Sequence, residues 1–210
     1  MTNMQPSRKL LSLYSLGKLD DVMMMVLSAH MSLCPDTKVL QREIEAEHAA
    51  LNLLDIEDKS DQTLPFDDAE SLFNAITALP ITGIMKQTKL SYMQWDQHQL
   101  PIPKVLSPLV ERCQTWKKAR GKLWRNSVSL YDEAYTVDFM FMESGCELPS
   151  YSYKGELNLV LNGSLRTKRK TFTQGDLLCL QDTAKLSAAK KQGCLFVSVS
   201  HVDLEKILNN

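Results

Sequence analysis

The hydrophobic period of this chain changes once along its length, and that change constrains its fold more than any other feature. In residues 1–80 apolar side chains recur every three or four positions, whereas from about Gly121 they alternate. The first period marks amphipathic helices, and the second marks strands with one buried face. The expected fold class is therefore α+β: a small N-terminal helical bundle followed by a C-terminal antiparallel β-sandwich or barrel. A length of 210 residues is enough for two small units that each bury a core.

Asp20 and Asp21 open a helical run carrying Val22, Met23, Val26, Leu27 and His30. Acidic residues favour a first turn because they face the positive end of the helix dipole. Pro35-Asp36-Thr37 interrupts this run and starts another, from about Lys38 to Leu54, with Val39, Leu40, Ile44, Leu51 and Leu54 on its apolar side. After Pro65, Asp67 and Glu70 stand at capping-box spacing before a stripe of Leu72, Phe73, Ile76 and Leu79. Three helices this short barely cover one another, so part of their apolar surface is expected to face a partner.

Residues 81–103 hold Gly83, Pro101, Pro103 and polar filler, which reads as a linker pinned by Trp95. Beyond it, LWRNSVSLY, AYTVDFMFM, ELNLVLNGSL, DLLCLQ and GCLFVSVS are short β-rich runs. Asn162-Gly163 and Gln174-Gly175-Asp176 supply turn signals between them. A terminal helix is expected near Val202–Leu208. The division is thus 1–80 helical, 81–103 linker and 104–210 β-domain.

Charge separates the same two parts. Residues 1–80 contain 6 Lys+Arg against 13 Asp+Glu, net −7, while residues 81–210 contain 18 against 12, net +6. An acidic helical part is a poor match for DNA phosphates, so no direct DNA binding is expected through it. Five irregularly spaced cysteines do not suggest a disulfide framework, and a reducing cytoplasm is the expected compartment. Neither a signal peptide nor a membrane-spanning run is expected. The basic run Arg166–Lys170 reads as a solvated hairpin.

Two stretches resemble the ChrR family of anti-sigma factors, which join a zinc-binding anti-sigma domain to a cupin domain. The first is Leu13–Gly17 followed by Ala29-His30-Met31-Ser32-Leu33-Cys34-Pro35-Asp36-Thr37. Against the family's His-x3-Cys-x2-Cys signature, His30 and Cys34 match and Thr37 replaces the second cysteine. The upstream histidine position falls at Gln5. The second stretch, Leu148–Ser164, is similar to the first cupin motif, with Ser-Tyr-Ser-Tyr where the family carries two histidines. Gly175-Asp176 and Gly193–Val197 are similar to the second motif and the closing strand.

The resemblance implies an anti-sigma factor that sequesters an extracytoplasmic-function sigma factor through its helical domain, with the cupin as sensor or modulator. Glu43, Glu47, Leu72 and Phe73 are the candidate partner-binding residues, and the −7 charge suits a basic partner. Zinc would have His30 and Cys34 as half a ligand set. Gln5 and Thr37 are poor donors, and His48 is the substitute to consider, so the helical domain is expected to be stable without zinc or to hold it weakly. In the cupin, Tyr151, Tyr153 and Glu156 occupy ligand-motif positions. No histidine lies between residues 99 and 200, which opposes a metal-dependent dioxygenase-type enzyme. The alternative of another class is a metal-free ligand-sensing cupin with no sigma partner.

Overall fold

A computed structural model describes residues 5–57, 90–113, 115–130, 135–151, 156–168, 170–179, 184–189 and 193–201. Helices come first. α1 spans Arg8–Ser15, α2 Asp21–Leu33 and α3 Pro35–Glu57. Ser7 caps α1 by accepting from the Leu10 amide, and Asp20 caps α2 by accepting from Met23. Each thereby satisfies one of the free first-turn donors. α3 starts at Pro35, three residues before the sequence pattern placed it, because proline suits a first helical position. The stripe at Leu72 and Phe73 and the terminal helix fall outside the described residues.

Residues 90–103 are not extended linker. β1 (Leu90–Trp95) and β2 (His98–Pro103) form an antiparallel hairpin closed at Asp96-Gln97, with Asp96 at φ 49°. Aspartate tolerates this left-handed turn position, so the chain turns here without a glycine. Trp95 does pin the segment, its ring lying 4.4 Å from Phe141 and 5.8 Å from Trp124. A 3-10 turn and the short α4 (Ser107–Arg112) then lead into the barrel.

The barrel strands are β3 (Lys117–Arg120), β4 (Leu123–Leu130), β5 (Tyr135–Met142), β6 (Glu147–Tyr151), β7 (Glu156–Arg166), β8 (Thr171–Thr173), β9 (Leu177–Cys179), β10 (Ala184–Ala188) and β11 (Cys194–His201). They pair antiparallel in the order β3-β4-β5-β11-β7-β10-β6, with β8 and β9 also on β7. The fold class is thus α+β, as the two periods implied.

Asn162-Gly163 is not a turn. It lies inside β7, where Leu161 is an extra residue against β11 and the strand passes from β11 and β9 to β8 and β10. Gly163 has φ +81°, and a Cβ there would stand 2.1 Å from the Gly193 carbonyl oxygen. The dipeptide that marks hairpins therefore serves a bulge and a close strand approach instead. The basic run does form a hairpin tip, with the Thr167 amide donating to the Lys170 carbonyl at 2.8 Å.

One face of β4-β5-β11-β7 looks into the barrel, where Met140, Phe196, Val160 and Leu186 pack. The opposite face, through Val137, Phe139, Val197 and Leu159, packs against Val22, Met23, Val26 and Leu27 of α2 and against β2. The apolar face of α2 is therefore covered by the chain's own barrel, a partner the helical pattern alone does not identify. At about 25 cal/mol per Å² of apolar area removed from water, such a shared core ties the two parts energetically. A smaller cluster of Leu11, Met31 and Ile44 holds the helices together.

Candidate functional site

The end of α2 and the start of α3 meet the barrel at the β8–β9 turn. Cys34 ends α2 and Pro35 opens α3, so His30, Cys34 and Thr37 fall on consecutive turns around one point. His30 is wholly buried. Its Nδ1 lies 2.7 Å from the Gly175 carbonyl oxygen, which can only accept, so Nδ1 carries the proton. Nε2 is then the acceptor for the Thr37 hydroxyl at 3.0 Å. Burial pushes the His30 pKa below its ordinary value, against the opposing effects of the Gly175 carbonyl and Asp176, which keeps the ring neutral. The Cys34 thiol donates to the same carbonyl at 3.4 Å.

This donor set does not fit a structural zinc ion, which takes four nitrogen or sulfur ligands. Two are present, and both imidazole nitrogens already have hydrogen-bond partners. Among the described residues no three His, Cys, Asp or Glu side chains stand together. Gln5 is exposed, and His48 points elsewhere, its Nε2 being 3.0 Å from Ser12 Oγ on α1. What the residues build is a hydrogen-bonded joint between helices and barrel.

Glu43 and Glu47 both lie on the exposed side of α3, with exposed Val39 and Leu51 at four-residue steps beyond them. Glu47 is not free. Arg8 Nη2 donates to its two carboxylate oxygens at 2.5 and 2.6 Å, which holds its pKa below the usual range. Leu72 and Phe73 lie outside the described residues.

In the barrel, Tyr151 ends β6 opposite Ala184, and Tyr153 lies outside the described residues. Glu156 opens β7 and accepts from Ser198 Oγ at 3.1 Å. Burial raises its pKa, helped by nearby Asp138, while the Ser198 bond and Arg125 oppose the shift. Arg125 and Asp138 form an ion pair at 2.6 Å, with side-chain exposures of 39% and 14%. One imidazole position does fall on a barrel strand: His201 closes β11 opposite Tyr135.

Sequence reasoning singled out Glu156 and missed Arg125, Asp138, Asn158 and Ser198 beside it. The signal was present. Apart from Asn126, each strand segment puts its polar residues at one parity, in LWRNSVSL, YTVDFMFM, ELNLVL and LFVSVS, and aligning those parities across strands brings them to one face.

In fold, the chain is similar to a chain of the Rhodobacter sphaeroides SigE complex with the anti-sigma ChrR. The TM-score is 0.62 at 18% identity, covering 94% of this chain and 98% of that one. A cupin domain of an XRE family transcriptional regulator from Enterobacter cloacae has a TM-score of 0.33 at 15% identity, covering 39% and 97%. An RmlC-like cupin from Shewanella frigidimarina has 0.34 at 13%, covering 53% and 91%. No family model and no curated protein matches the chain. The ChrR-like fold that the motifs implied is shown over nearly the whole length. Among the described residues no helix is long and apolar enough to cross a membrane.

Proposed function

We propose that this protein is an anti-sigma factor of the ChrR kind, which sequesters an extracytoplasmic-function sigma factor through its helical part while the barrel modulates release. The observation that carries this reading is the near full-length fold likeness to a chain of the SigE–ChrR complex. It runs through helices and barrel alike. The exposed side of α3, with Glu43 and Glu47 between Val39 and Leu51, offers acidic charge beside apolar contact, which suits a basic helical partner. The protein acts by binding; a cupin enzyme is disfavoured by the lack of imidazoles among residues 99–200. The cytoplasm is the compartment where such a partner works. Co-expression with the sigma factor encoded nearest this gene, followed by size-exclusion chromatography, tests the proposal: one co-eluting complex supports it, and separate elution contradicts it.

A sensing role for the barrel has its own support, because Asn158 inside it is 1% exposed and neither polar atom of its side chain has a hydrogen-bond partner among the described residues.

A further inference from the structure

The inner face of the barrel divides into an apolar end and a polar end. Across the register Ser127 pairs with Asp138, Asp138 with Ser198, and Ser198 with Asn158. Cross-strand partners share a face, and in the next row on that face Met140, Phe196 and Val160 belong to the interior core, with Arg125 at its β4 end. The row on the other side is Ser129-Thr136-Ser200-Glu156. Both rows are polar from β4 to β7, the first of them ending on apolar Leu178 of β9. Inward-facing Ser127 and Ser129 are nevertheless exposed, while Ser198 is 3% and Asn158 1% exposed. Exposure that falls along an inward face describes an open mouth with a floor. A cleft of about 380 Å³ at Lys117, Arg125 and Ser127 lies on the β3–β4 side of it.

Among the described residues, Asn158 Nδ2, Asn158 Oδ1 and Asp138 Oδ1 on this face have no hydrogen-bond partner. Buried polar groups are nearly always satisfied by protein, water or ligand, so each calls for an account. Asn158 and Asp138 flank Ser198 on either side, two strand spacings apart, or about 10 Å between backbones. We propose that the barrel mouth binds a small uncharged molecule with an adjacent hydrogen-bond donor and acceptor, which the Asn158 carboxamide reads edge to edge. A carboxamide offers one N–H and one C=O side by side, so its complement is a cyclic amide edge or a pair of vicinal hydroxyls. The absence of net charge follows from the surroundings. Asp138 is already paired with Arg125, and Glu156 already accepts from Ser198.

This inference rests on the reading of the barrel as the sensing part, and it is tested without a sigma factor so that the two can fail separately. The full ¹⁵N-labelled chain is titrated with 2-pyridone, with cis-1,2-cyclohexanediol and with N-methyl-2-pyridone, following the side-chain amide pair that disappears in Asn158→Leu. A saturable shift with 2-pyridone identifies a cyclic amide, and one with the diol identifies a polyol. A fragment of this size is expected to bind at roughly millimolar strength. The N-methyl compound, which has lost its donor, is expected to shift that pair at least several-fold less. Should Asn158→Leu not fold, Asn158→Ser, which keeps a polar side chain, removes the same pair. No shift with either probe up to roughly 50 mM, or an equal shift with the N-methyl control, overturns the proposal. Binding without any effect on sigma-factor association would leave it standing and sink the modulator reading alone.

Discussion

His30 and Gly175 are 145 residues apart in sequence, yet the imidazole Nδ1–H of one meets the carbonyl oxygen of the other at 2.7 Å in a fully buried contact. The bond joins the last turn of α2 to the β8–β9 turn. A Cβ added at Gly175, whose φ is +90°, would stand 2.5 Å from Cys34 Sγ. The joint is therefore specified from both sides, by a ring that needs a carbonyl and by a turn that admits no side chain.

Substitution at this joint should destabilise the whole chain. Thr37→Val leaves His30 Nε2 buried without its donor and is expected to cost about 1–3 kcal/mol. Gly175→Ala combines an unfavourable backbone, about 1–2 kcal/mol, with the overlap against Cys34, and should cost more than Thr37→Val. Urea unfolding of the full chain measures both; equal or negligible losses would mean the joint carries no strain-sensitive packing.

Stability should also fall with acid. The His30 pKa is lowered by burial, so the unfolded chain binds a proton first as pH drops. This contribution is fully present above the unfolded value of about 6.5 and is lost as pH falls through it toward the folded pKa. Comparing unfolding free energies at pH values on either side of 6.5, for the unaltered chain and for His30→Gln, checks the sign. The substituted chain should show the shallower slope.

Glu156 should behave in the opposite sense. Its raised pKa means the carboxylate opposes folding at neutral pH and stops doing so once both states are protonated below the unfolded value. Glu156→Gln is therefore expected to be neutral or stabilising at pH 7, with the difference vanishing in acid. A marked loss of stability at pH 7 would show instead that the carboxylate form is required for its bond to Ser198.

Zinc should not govern the helices. With His30 bound to Gly175 and Thr37, chelator is expected to leave the helical circular dichroism of the full chain unchanged. Collapse of that signal would require a metal ligand beyond His30 and Cys34.

Much of this architecture was legible because the burial period reports secondary structure directly. α2, α3 and five of the strands follow from it. α1 did not, because its short apolar run is broken by polar residues and its Ser7 cap acts only within the folded turn. The hairpin at 90–103 was hidden by Pro101 and Pro103, which an isolated two-stranded ribbon tolerates. Asn162-Gly163 misled because bulges and hairpins draw on the same backbone freedom. The candidate sites were only half legible: His30, Cys34 and Thr37 are close in sequence, but Gly175 is brought to them by packing alone, and Asn158 is grouped with Asp138 only by strand register.

The central claim is the sequestration of a sigma factor by the helical part, and the kinetics of that association test it most directly. The full chain is captured and the sigma factor encoded nearest this gene is passed over it at several salt concentrations, alongside Glu43→Lys and Glu47→Lys. Glu43 is the cleaner probe, since replacing Glu47 also sets two cations together at Arg8. A complex is expected whose association slows by roughly several-fold to tenfold at low salt in the Glu43 variant, with little change in dissociation. Leu72→Ser with Phe73→Ser should instead speed dissociation while the unaltered unfolding transition is retained. No complex with the unaltered chain, or a complex that reversals on the basic barrel hairpin weaken while those on α3 do not, would contradict the account.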